Sequence, residues 1–84
     1  MGLADRIDRH AMLFHRMADT VNADLGDALI DGRIDGQGMR AAVFQCMTCE
    51  KPEACPGWMD AHPEGATEAP DFCRNKALLK HLSA

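Results

Sequence analysis

Four cysteines, Cys46, Cys49, Cys55 and Cys73, are the residues of this 84-residue chain best equipped for chemistry. Their spacing is C-x2-C-x5-C-x17-C, so three fall within ten residues and the fourth stands well downstream. Thiols in such a set have four uses. As thiolates they hold a metal ion or cluster; oxidised, they pair as disulfides; as a reactive C-x-x-C they exchange disulfides; and left alone they pack as small apolar side chains.

The surroundings weigh these uses against one another. Four buried thiols gathered at one loop-rich end are hard to reach by chance, which counts against plain packing. Disulfides need an oxidising compartment. Thiol–disulfide catalysis needs a cysteine whose pKa is lowered at a helix N-terminus, whereas Cys46-Met47-Thr48-Cys49 falls at the C-terminal end of a helical pattern, where the dipole disfavours a thiolate. A shared four-thiolate metal site is the reading left strongest. Structural zinc sites with four cysteines present two close C-x2–4-C pairs, and this chain has one pair and two single cysteines. A [4Fe–4S] cluster spreads its ligands and tolerates irregular spacing, so the pattern leans to a cluster over Zn²⁺. Trp58, Phe72 and Met47 are candidates to shield it from water, and His62, close behind Trp58, is a reserve ligand.

The elements that must position these residues read as helices. Leu3, Ile7, Ala11, Phe14, Met17, Ala18 and Val21 recur every three or four residues, predicting a helix over about 3–22. A second fits Asp24 to Asp31, with Leu25, Ala28 and Leu29 inward and Gly32 closing it. A third starts at Asp35, with Ile34 stapled to Met39, although Gly36 and Gly38 weaken its first turn. Its inward positions run Ala42, Val43, Cys46 and Cys49 until Lys51-Pro52 breaks it. Pro56 suits the first position of a short helix ending at His62-Pro63. Residues 63–70 are loop by composition, and Asp71 caps a last helix carrying Phe72, Leu78, Leu79 and Leu82. The expectation is one all-α domain: a small bundle of four or five short helices, with a helical N-terminal half (1–44) and a Cys-rich C-terminal half (45–84).

Composition sharpens the need for a staple. A chain this short buries only roughly 60–65% of its unfolded surface. With three Phe, one Trp, no Tyr and six Met, its core is weakly specified by aromatic packing. The net charge of −4 and scattered charges exclude a basic nucleic-acid face, and the apolar runs are too short to span a membrane. No secretory signal is visible, so the expected location is cytoplasmic, where thiols stay reduced. An acidic surface suits a protein partner, and Leu13, Met12 and Phe44, off the main stripes, offer a second apolar face that would favour a homodimer. His10 and His15 read as ordinary helix histidines. No Ser-His-Asp set, paired carboxylates or open three-ligand metal site can be argued from spacing, so an enzyme is the weakest reading.

Several motifs carry resemblances. The run C-x2-C-x5-C resembles part of the cluster loop of helical iron–sulfur DNA glycosylases, although their remaining cysteine precedes it, and Cys55-Pro56 resembles the Cys-Pro of bacterial ferredoxins. L-x-D-R-x-x-x-H-x-x-L-x-x-R-M-A at Leu3–Ala18, D-L-x-x-A-L-x-x-G-R at Asp24–Arg33, C-x2-C-x5-C-x2-W at Cys46–Trp58 and C-x-N at Cys73–Asn75 cover nearly the whole chain. Together they resemble the small bacterial proteins of domain of unknown function 6455. Arg74 stands where that family often has proline. The resemblance implies the architecture and the four thiols, and no activity.

Overall fold

The computed structural model describes residues 2–83 and is all-α, with five helices: α1 (Leu3–Thr20), α2 (Leu25–Asp31), α3 (Gly36–Met47), α4 (Cys55–Asp60) and α5 (Lys76–Leu82). The amphipathic stripe of α1 lies across α3 and, less extensively, α4. It buries Phe14, Met17 and Ala18 fully, and Leu3 at the helix start stays exposed. The helix stops at Thr20, two residues short of the expected end, because Asn22 turns the chain into the left-handed region (φ 62°).

Local chemistry sets the next two starts. The carboxylates of Asp24 and Asp35 accept hydrogen bonds from the amides of Asp27 (3.0 Å) and Gly38 (2.7 Å), capping α2 and α3 as their positions predict. Gly38 is required by packing: a Cβ there would meet Ile34 Cγ1 at 2.9 Å, so its bareness lets buried Ile34 fold over the first turn of α3. In α2, Leu25 and Ala28 are buried while Leu29 is 44% exposed, contrary to the expectation that all three face inward. With 100° per residue, the buried face of a two-turn helix centres between Leu25 and Ala28, which leaves Leu29 on its rim and Ile30 facing out.

The last helix also differs from expectation. Asp71 does not cap it; α5 begins at Lys76, and residues 71–75 form turns in which the Cys73 amide donates to Pro70 O (2.9 Å) and Lys76 N–H donates to Cys73 O (3.2 Å). The Asp71 carboxylate is engaged by Lys76 Nζ at 2.5 Å instead. Leu79 and Leu82 are buried as expected. The buried apolar residues form one cluster reached from all five helices. No helix among the described residues is long and apolar enough to cross a membrane.

Residues 63–70 contain no regular element, yet Ala69 is buried and Ala66 N–H donates to Thr20 O at 2.7 Å. Gly65, at φ +94°, makes this approach, since a Cβ there would stand 3.1 Å from the same carbonyl. Gly65→Ala is therefore expected to destabilise the protein by about 1–2 kcal/mol, measurable as a lowered denaturation midpoint, whereas Ala at an unstrained glycine would stabilise it.

Candidate functional site

The four cysteines come from three neighbouring breaks in helical structure. Cys46 lies in the last turn of α3, Cys49 one residue beyond its Thr48 cap, Cys55 at the first position of α4, and Cys73 in the turns before α5. Cys49 therefore stands just past the helix whose face it was expected to continue. Thr48 caps that end by donating its hydroxyl to Gln45 O (2.8 Å), and Cys49 N–H closes a tight turn onto Cys46 O (3.1 Å). α4 follows Ala54 and carries Pro56 as its second residue, where the missing amide proton has no helical partner to lose.

All four cysteines line one partly open cavity. Its remaining wall is mostly apolar, including Leu13, Phe14 and Met17 of α1, Pro52, Phe72 and Leu79. About 20 Å³ of it is open to the centre of a water-sized sphere. Phe72 thus stands where shielding was expected, and its carbonyl accepts from Cys49 Sγ at 3.5 Å. Trp58, Met47 and His62 are not on this wall. Trp58 packs against the core and stacks on His62 with ring centroids 4.1 Å apart. His62 Nδ1 is 2.7 Å from Trp58 O; a carbonyl only accepts, so that nitrogen carries the proton.

The thiols are half-buried and sense one another. Burial, then the proximity of Cys55, Cys73 and Cys49, pushes Cys46 up to about 11. Cys55 is likewise pushed up to about 11, by burial, then Cys73 and Cys49, with Arg16 pulling the other way. Cys73 is raised by burial, opposed by a hydrogen bond from the Asn75 backbone amide to its sulfur. Without a cation Cys46, Cys55 and Cys73 are protonated at neutral pH and poor nucleophiles, a poor setting for thiol–disulfide catalysis. None of the four is in a disulfide.

Two residues beside the thiols escaped the sequence reading. His10, on the buried face of α1 and 8% exposed, places Nδ1 3.5 Å from Cys46 Sγ. Burial, then Arg9 and Arg6, holds its pKa below the usual value. Asn75, 4% exposed, donates its side-chain amide to Ala42 O at 2.8 Å, tying the Cys73 turn to the middle of α3. Both stand inside the family motifs, as the histidine of the first and the asparagine of C-x-N, and that was the available signal.

Fold and site together define a small, cysteine-rich, five-helix protein with four thiols around one apolar cavity. The chain belongs to the family of unknown function DUF6455, whose profile matches residues 1–84. Comparison with curated proteins and with solved structures gives no match.

Proposed function

We propose that this chain is a small metal-binding protein in which Cys46, Cys49, Cys55 and Cys73 hold one [4Fe–4S] cluster, serving electron transfer or redox sensing in a reducing, cytoplasmic compartment. The observation that carries the reading is the single apolar cavity lined by all four cysteines. Its size bears on the metal. A point that admits a water-sized sphere lies at least about 3.2 Å from a sulfur nucleus, against about 2.3 Å for a zinc–thiolate bond. Either metal requires the thiols to move, inward onto a lone Zn²⁺ or apart to admit the irons and sulfides of a cluster, so the preference for a cluster rests on the irregular cysteine spacing. Among the described residues no three His, Cys, Asp or Glu side chains are drawn together closely enough to hold a metal ion, so binding one requires the thiols to shift.

When bound, such a cluster exchanges one electron at a time between a reduced donor and an oxidised acceptor. The chain supplies the dry wall and a short path out, since every cysteine is partly solvent-exposed. The net charge of −4 suits a basic protein partner. Met12 (72% exposed) and Phe44 (52%) offer apolar area to that partner or to a second copy, while Leu13 turns inward to the core.

Elemental analysis and an absorbance spectrum on protein purified without oxygen test this reading. The expected result is about four iron and four sulfide per chain, with broad absorption near about 400 nm. Zinc near one per chain in a colourless protein would replace it with a structural zinc adaptor. No metal, with free thiols or disulfides by titration, would end the metal reading.

A further inference from the structure

Only two polar side chains are buried among the described residues, His10 and Asn75, and both serve cysteine-bearing segments. Asn75, two residues beyond Cys73, donates its side-chain amide to Ala42 O of α3. His10 reaches across 36 positions of sequence to Cys46 Sγ. Burying an imidazole in an apolar helix face is unfavourable unless a specific bond offsets it, and the side chains α1 presents to the cavity, Leu13, Phe14 and Met17, are all apolar.

We propose that His10 is a positioning residue of the metal centre, its Nδ1–H donating to the Cys46 thiolate and stabilising the negative charge on that one ligand sulfur. The inference rests on the metal-centre reading above. One observation and one chemical requirement of the metal reading make His10 a donor to a ligand and not itself a ligand. Cys46 lines the cavity and His10 does not, so the imidazole meets the sulfur from outside the cavity. A metal-bound thiolate has no proton, so a hydrogen bond of 3.5 Å between these atoms needs the proton on Nδ1. Hydrogen bonds to ligand sulfurs draw charge off the thiolate, which favours the reduced cluster and tightens its retention. With its bonding partner on Cys46, His10 makes the four ligands electronically unequal and couples α1 to the state of the site.

The test compares wild type, His10→Leu and His10→Asn as full chains reconstituted anaerobically with iron and sulfide. Asn places an amide N–H where Nδ1 stood; Leu removes the donor and keeps the volume apolar. The expectation is unchanged iron and sulfide content in all three, a more negative reduction potential in His10→Leu, and return towards the wild-type potential in His10→Asn. Loss of iron to a chelator should be about tenfold faster in His10→Leu. An unchanged potential in His10→Leu, or equal displacement by both substitutions, overturns the proposal, as does a fall in iron content that marks His10 as a ligand. Should His10→Leu fail to fold, ¹⁵N NMR of the metal-loaded wild type decides: a proton on Nδ1 supports the proposal and one on Nε2 overturns it. If wild type takes up no cluster, the [4Fe–4S] reading falls by itself, and the same variants are read in the thiolate-to-Co²⁺ charge-transfer bands of the Co²⁺-loaded chain. Bands displaced in His10→Leu and restored in His10→Asn then support the donor role, and identical bands overturn it. Binding of neither metal overturns both.

Discussion

Cys46→Ser is expected to abolish stoichiometric metal binding and to cost the loaded protein about 3–5 kcal/mol, while changing the metal-free protein by less than about 1 kcal/mol. The asymmetry follows from what the thiol touches. Cys46 is only half-buried, and serine in the metal-free protein loses little beyond a weak contact with His10 Nδ1. In a metal-loaded protein of the proposed kind the same sulfur would supply one of four bonds joining the end of α3, the start of α4 and the turns before α5. α4 and α5 have six and seven residues, too few for either to persist alone. A chain of this length has a total stability of roughly 4–13 kcal/mol, so the loss removes a large part of it. The measurement is a pair of thermal or denaturant unfolding curves for each protein, with and without metal. The interaction between substitution and metal is the quantity of interest, because it cancels effects common to both states. A Cys46→Ser protein with wild-type metal content and wild-type melting would show that these thiols share no site.

Much of this arrangement was legible in the residues. The α1 stripe and the Asp24 and Asp35 caps follow from helical periodicity and N-cap chemistry, which act within a few residues, whereas α3 ends at Met47 with Thr48 as its cap, ahead of the break expected at Lys51-Pro52. The apolar rows then identify which faces meet. What was not legible depends on contacts between distant segments. Asp71 has a capping residue's chemistry, yet its carboxylate is held by Lys76 and the chain turns through Cys73 until Asn75, whose side chain is committed to Ala42 on another helix. The weak-looking Gly38 is explained only by Ile34 lying over it. His10 reads along the helix as one more interfacial histidine, because its partner is 36 residues away. The four thiols themselves were found by type and spacing, but that they line one cavity while Trp58 and His62 stack outside it is a property of the packed chain.

Leu79→Ala separates the core from the thiol site. Leu79 is fully buried near the middle of α5, and it belongs both to the hydrophobic cluster and to the cavity wall. Truncating it removes apolar contacts and extends a void that already exists, so collapse around the gap is poor. The expected cost is about 3–5 kcal/mol in the reduced, metal-free protein, near the upper end for such substitutions. Chemical denaturation should show a lower midpoint with an unchanged slope. Against the roughly 4–13 kcal/mol expected for a chain of this length, this loss removes a large part of the metal-free stability and, at the low end of that range, brings the chain close to unfolding at 25 °C. Metal should then restore helical circular dichroism, because a ligand that binds only the folded state adds its binding energy to folding. The two substitutions thus exchange rank with loading: Leu79→Ala is the more damaging without metal, and Cys46→Ser the more damaging with it. Equal damage by Cys46→Ser in both states would mean that the thiols act only as packing groups. A Leu79→Ala protein as stable as wild type would mean that α5 is held by something other than its buried face, a result this core leaves no room for.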